Sequence, residues 1–262
     1  MVVCGGPIMD RINLKAFSQR WDQMYQRNRR LGDYIMEPPF HMTDFLGRGK
    51  YAGLRPELKR AFFIDVAKLV NEHKFYSLSI AVSQAEFNSR LSEEVRRTLL
   101  GPYAFVFFVL VSMNGFLSEN ARTGPFRISY LIDQGFGHYQ QLVEAHRVIM
   151  RFEEALKEFR QTGALAEDSD SRVPALQAAD AVSWASRKME LHGHLPEGFE
   201  PLKELLNEDL SAFHSTFRMP PDGIEAIAKP INNWIAGNGS VPQWSDILVR
   251  NVGGGFVAKL NT

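Results

Sequence analysis

The sequence predicts an α/β protein, and three observations carry that prediction. Tyr76, Leu78, Ile80 and Val82 alternate with Ser77, Ser79, Ala81 and Ser83, the period of two that belongs to a strand. Phe126, Ile128, Tyr130 and Ile132 alternate in the same way. Apolar stripes at spacings of three and four fill the intervals. The resulting order, β-α-β-α-α-β-α-(β)-α, is that of a layered sheet with helices packed on it.

From Ile12 to Arg29, Leu14, Phe17, Trp21 and Tyr25 form a helical stripe that ends in the basic run Arg27 to Arg30, and the polar loop Glu37-Pro-Pro-Phe follows. Leu58, Phe62, Val66, Leu69 and Val70 give a second stripe, with Pro56 placed for its first turn. The strand from Tyr76 has one apolar face, and Ser83 with Glu86 has capping-box spacing for a short helix through Leu91. The run Pro102 to Leu117 is apolar on all sides, including Phe105, Phe107, Phe108 and Leu110, which predicts a buried helix. After the strand ending at Ile132, a long helix is expected over His138 to Arg160, then a weak edge strand at Ala164 to Ala166, then a helix from Pro174 to about Leu191. Residues 195–262, rich in proline and carrying the run Gly253 to Gly255, offer only short helical stretches near Pro201 to Phe217 and Ile224 to Ile235. The expected organisation is a domain over 1–194 with a helical or irregular C-terminal extension, 195–262, packed on its core.

With 262 residues, 45% of them hydrophobic, the chain can bury one substantial core. Lys plus Arg (30) equals Asp plus Glu (30), so no global field draws it to nucleic acid or an anionic membrane, and nucleic-acid binding would need a local patch. Cys4 is the only cysteine, which excludes an internal disulfide and a thiolate zinc cluster and fits a reducing, cytoplasmic setting. Met1 to Met9 lacks a basic leader, and Pro102 to Met113 is about half the ~20 residues that cross a bilayer, so no membrane segment is expected.

Two carboxylates stand out. Asp133 closes the second strand, where sheets of this class present ligands, and Asp180 lies about two turns into the helix that opens at Pro174. Together they could hold a divalent ion, Mg²⁺ or Mn²⁺, for phosphoryl-transfer or nuclease chemistry. Gln177 and Asp180, three apart, share a helical face with Trp184 and Arg187, opposite a packing face of Ala178, Val182, Ala185 and Met189. Gln177 would orient substrate or a carboxylate. His41 and Asp44, in Phe40-His-Met-Thr-Asp-Phe, could supply a base, a third ligand or a substrate contact, with a loop histidine and a capping aspartate as the plain alternative. His138 reads as the start of a helix. Gly47-Arg-Gly-Lys50 lacks Walker spacing, so Arg48 and Lys50 are at most a local anion contact. Glu167, Asp168 and Asp170 read as a solvated acidic loop.

Val2-Val-Cys-Gly-Gly6, the helix with Trp21, Phe40-His-Met-Thr-Asp-Phe45, Leu-Ile-Asp133-Gln-Gly and Val173-Pro-Ala-Leu-Gln-Ala-Ala-Asp180 occur in an order that resembles the bacterial and phage family known as domain of unknown function 3800. The resemblance spans about residues 1–191, and Leu-Gln-Ala-Ala-Asp is its most specific element. It implies a ribonuclease H-like fold, a mixed sheet flanked by helices, with an acidic metal site including Asp133 and Asp180. Family members begin with a strand ending Asp-Glu-Ser-Gly ahead of the segment matching Val2 to Gly6. That first central strand is missing here, which implies a reading frame starting upstream of Met1 or a degenerate copy with an altered site. The leading expectation is a divalent-metal-dependent nuclease or phosphoryl-transfer enzyme, impaired if the first acidic strand is absent. The alternatives are a non-catalytic interaction protein of mobile-element or phage-defence type, and a metal-dependent hydrolase of a small phosphorylated molecule.

Overall fold

A computed structural model describes residues 1–119, 125–151, 160–206 and 214–237. It is an α/β protein with a mixed sheet flanked by helices. In chain order its elements are β1 (Val2–Ile8), α1 (Arg11–Arg27), β2 (Arg30–Leu31), β3 (Tyr34–Ile35), α2 (Pro56–His73), β4 (Tyr76–Val82), α3 (Gln84–Arg90), α4 (Glu93–Thr98), α5 (Pro102–Glu119), β5 (Ile128–Asp133), α6 (Tyr139–Arg151), β6 (Thr162–Asp168), α7 (Pro174–His192), β7 (His214–Arg218) and α8 (Pro221–Ile235). 3-10 segments occupy Met42–Phe45 and Glu200–Leu206. The strands pair in the order β1-β4-β7, β2-β3 and β5-β6.

Local chemistry accounts for most boundaries. The Asp10 carboxylate accepts from the Asn13 N–H at 2.8 Å and starts α1, whose buried stripe is Phe17, Trp21, Met24 and Tyr25. Pro56 opens α2 and Pro174 opens α7, positions where a missing N–H removes no intrahelical bond. Ser83 caps α3 by accepting from the Glu86 N–H, as the capping spacing predicts. Gly193, with φ of 73°, ends α7 in the left-handed conformation.

Several expectations change. The weak edge strand at 164–166 is a seven-residue strand, β6, paired with β5. β7 lies in the stretch read as helical extension, and it joins the β1-β4-β7 sheet. β4 was expected to keep one apolar face, yet every residue in it is buried, because Ser77 and Ser79 find polar partners inside. The far end of the helix expected over His138 to Arg160, the part of the Pro201 to Phe217 stretch at 207–213, and the Gly253 to Gly255 run lie outside the described residues.

The chain divides into two compact units, with the division falling inside β1, β4 and β7. Unit 1 comprises Met1–Cys4, Ile80–Glu167 and Phe217–Thr262; unit 2 comprises Gly5–Ser79 and Asp168–Thr216.

Unit 1 is built around α5, buried from Ala104 to Gly115 as its all-round apolarity predicts. By length and composition α5 could cross a membrane, but most of it is buried inside the structure. Its polar atoms are satisfied locally: Ser112 Oγ donates to the Phe108 carbonyl, and Asn114 Nδ2 donates to the Tyr130 hydroxyl at 3.4 Å. Amphipathic α6 packs on α5 through Leu142, Ala145 and Ile149. Burial pushes the Cys4 thiol up to about 12, so it stays a neutral packing group.

Unit 2 packs α1, α2 and α7 over an aromatic core that includes Phe17, Trp21, Phe40, Phe45, Phe62, Phe63 and Phe199. Phe40 stacks on Trp21 and meets Phe45 and Phe62 edge-on. Lys59 reaches into this core and donates to the Phe45 and Ala52 carbonyls, both at 3.0 Å, and burial lowers its pKa. A buried polar chain runs from β4 to β7 and α7. Ser77 Oγ lies 2.6 Å from His214 Nδ1, His214 Nε2 lies 2.8 Å from Thr216 Oγ1, and Ser186 Oγ donates to Ser79 Oγ at 3.2 Å. Lys74 closes one end, donating to the Leu205 carbonyl at 3.1 Å and reaching Ser77 Oγ at 3.5 Å.

Candidate functional site

The 3-10 turn Met42–Phe45 in unit 2 owes its place to three apolar anchors. Phe40, Met42 and Phe45 are fully buried, and this leaves His41 and Thr43 on the outside. Asp44 stabilises the turn from within, its Oδ2 accepting the His41 N–H at 2.9 Å. Downstream, the Tyr51 N–H donates to the Asp44 carbonyl at 2.7 Å. Gly49 is required for that close approach, since a Cβ there would stand 2.4 Å from the Asp44 and Thr43 carbonyl oxygens. Arg48 and Lys50, on either side of it, are exposed.

Two side chains of α7 tie this turn down. Asp180 Oδ2 accepts the Met42 N–H at 2.8 Å. Gln177, 2% exposed, accepts from the Phe40 N–H at 3.2 Å and the Tyr25 hydroxyl at 3.1 Å through Oε1, while its Nε2 donates to the Asp170 carbonyl at 3.0 Å. Burial, and after it the nearby Tyr51, raises the Tyr25 pKa, so its hydroxyl remains the donor that Gln177 needs. The face holding Gln177 and Trp184 is therefore a packing face as well as the Ala178 face, with Trp184 against Phe199 at 4.9 Å between ring centroids.

Asp170 was read as part of a solvated acidic loop, and it is instead the buried member of the group. The residue is 8% exposed, and its Oδ2 is buried without a hydrogen-bond partner among the described residues. His41 Nε2 lies 3.4 Å from that oxygen, an ion-pair distance without hydrogen-bond alignment, and the imidazole itself is about half exposed at 49%. The turn at Ser169, whose carbonyl accepts the Arg172 and Val173 N–H groups, folds Asp170 back just before Pro174. A serine-aspartate turn directly ahead of a helix-opening proline was the one legible sign; charge alone pointed outward.

Of the site residues expected from the sequence, unit 2 brings His41, Asp44, Gln177 and Asp180 together and adds Asp170. Asp133 belongs to unit 1, where it is half-buried at the end of β5. Just past it, the Gly135 N–H donates to Glu167 Oε1 at 3.4 Å. Among the described residues, no three or more His, Cys, Asp or Glu side chains gather in a group that could hold a metal ion. The carboxylates present are hard oxygen donors of the kind Mg²⁺ and Mn²⁺ take, and the buried Asp170 oxygen is the atom best placed to want a cation. Compared with protein-family models, curated proteins and solved structures, the chain matches none.

Proposed function

We propose that the chain is a phosphoryl-transfer enzyme of the nuclease or hydrolase class, working at the His41 turn of unit 2. The observation that carries this reading is a half-exposed imidazole 3.4 Å from a carboxylate oxygen that is buried and has no hydrogen bond. A carboxylate held behind a histidine orients its ring. With Asp170 beside it, the half-exposed His41 ring takes the proton from an attacking water. Asp180, Gln177 and Asp44 are positioning residues that fix the backbone of residues 40–44 under the imidazole. Arg48 and Lys50, exposed on the following loop, would meet a phosphate of the substrate, the local patch that a chain without net charge needs. Mg²⁺ or Mn²⁺, when bound, would polarise a phosphoryl oxygen; Asp180 is the unit 2 carboxylate proposed to hold it. The α/β frame, a mixed sheet flanked by helices, is compatible with the ribonuclease H-like fold that this reading carries with it.

The test is hydrolysis of single-stranded, duplex and hybrid nucleic acids and of a simple phosphodiester, with and without Mg²⁺ or Mn²⁺. His41→Gln and Asp170→Asn are expected to lower the rate about 10²- to 10⁴-fold, the range of general-base catalysis. His41 is exposed, so its variant should melt close to wild type. A thermal-shift series in Mg²⁺ and Mn²⁺, repeated on Asp133→Asn and Asp180→Asn, reads the ion separately. Activity on the simple ester alone points to a small phosphorylated substrate. One observation favours a second reading: Asp44, Gln177 and Asp180 each spend an oxygen on a backbone N–H of residues 40–42, as a purely structural clamp would. No hydrolysis of any substrate by the wild-type chain would leave this interaction scaffold as the better account.

A further inference from the structure

We infer that the C-terminal end of α7 carries a binding site for a late first-row transition-metal ion, Cu²⁺, Ni²⁺ or Zn²⁺, held between the imidazoles of His192 and His194. The two rings stand with centroids 6.3 Å apart and planes 43° from parallel. A ring nitrogen bonded to such an ion at about 2 Å puts the ring centre roughly 3 Å from it, so two rings sharing an ion have centres about 4.5–6.5 Å apart. The observed separation falls inside that interval, at the end where the two nitrogens lie on opposite sides of the ion. A sharp return of the chain produces it. Gly193, with φ of 73°, is the left-handed cap of α7 and brings the rings on either side of it to this spacing. Leu195, 9% exposed and part of the unit 2 core, then pins the chain just past His194.

Both histidines are exposed, and their ring nitrogens are open to an ion. His194 Nδ1 lies 3.3 Å from the Leu195 carbonyl oxygen, which can only accept, so Nδ1 carries the proton and Nε2 presents its lone pair. A backbone carbonyl on the far ring nitrogen is a usual partner of a metal-binding histidine. His192 makes no hydrogen bond or ion pair among the described residues, so neither of its nitrogens is engaged. No atom lies within 4 Å of the position a Cβ of Gly193 would take, which leaves room for the waters that fill the remaining coordination positions. The field at this end favours a cation, because the last carbonyls of α7 carry partial negative charge. Lys188, one turn back from His192, is drawn away from it: its Nζ lies over the Trp184 ring, 5.7 Å from the centroid. Imidazole donors select copper, nickel and zinc, whereas the carboxylates named for the His41 site suit Mg²⁺ and Mn²⁺. The inference is therefore independent of the hydrolytic reading.

The experiment titrates the untagged full chain with Cu²⁺, Ni²⁺ and Zn²⁺ by calorimetry, follows the histidine ring signals by ¹H–¹⁵N NMR with Zn²⁺, and records the electron paramagnetic resonance spectrum with Cu²⁺. The expected result is one tight site, with Cu²⁺ bound most strongly as the order of divalent affinities requires. The ring signals of His192 and His194 should move together on a single Zn²⁺ isotherm, and the Cu²⁺ spectrum should carry the splitting of two nitrogens. His192→Ala and His194→Ala should each weaken binding about 100-fold, the lower end of what a second tethered contact adds. Both side chains are exposed, so the variants should melt close to wild type, and the double variant should bind no better than either single one. No saturable binding of any of the three ions would overturn the proposal. So would wild-type affinity in either alanine variant, or movement of the His41 ring signal in place of the pair. His41→Gln should bind all three ions as wild type does, which separates this outcome from the fate of the hydrolytic reading.

Discussion

Gln177 joins α1, the Phe40 turn and the Asp170 turn through a single amide. Replacing it with Leu preserves much of its shape but strands the Tyr25 hydroxyl, the Phe40 N–H and the Asp170 carbonyl in a dry interior. Each unsatisfied buried group costs about 1–3 kcal/mol, so Gln177→Leu should lose roughly 3 kcal/mol or more, seen as a lower urea midpoint at unchanged slope. The spacing of Gln177 and Asp180 placed them on one helical face from the sequence alone. That the face points inward was not legible, since Trp184 and Gln177 are amphipathic residues that suit either a core or a cleft.

Element boundaries follow local signals, and elements fail to be legible where their partners are distant. The all-apolar run of α5 states its burial outright, and Phe107, fully buried and edge-on to Tyr130 at 5.4 Å, measures it. Phe107→Ala should destabilise by about 3–5 kcal/mol in chemical denaturation, the usual loss for a core phenylalanine. The serines of β4 read as a wet face because serine is mostly exposed, and only His214 and Ser186 make them part of the interior. β7 escaped notice for the matching reason. His214-Ser-Thr-Phe-Arg has no apolar alternation of its own; it is a strand because β4 offers it a ladder and Ser77 offers its histidine a partner.

For the whole molecule, that buried histidine sets a pH dependence. Burial, and after it the Lys74 ammonium, push the His214 pKa from 6.5 down to about 3. Burial alone draws Lys74 down to about 8, so it still carries its charge through acid and neutral pH. The unfolded chain takes up a proton near pH 6.5 that the folded chain refuses, so the unfolded state binds more protons below that point. The contribution is intact above about pH 6.5 and drains away as the pH falls towards 3. At pH 5 the loss should be on the order of 2 kcal/mol. Urea midpoints at pH 7 and pH 5 should therefore fall further apart for wild type than for His214→Gln, which cannot take up the proton.

What the sequence by itself determined is local: the two alternating strands, the stripes of α1 and α2, the caps at Ser83 and Pro174, and an aspartate at a strand end and another on a helix. Periodicity and capping act over a few residues, so they are written where they act. Tertiary structure alone decided that Asp170 is buried behind His41, that Gln177 faces the core, and that β7 lies beside β4. Those outcomes rest on bonds such as Phe40 to Gln177 and Met42 to Asp180, which join residues 137 and 138 positions apart. No local pattern encodes such a partner, because the free energy that buries a polar group exists only once its distant counterpart has arrived.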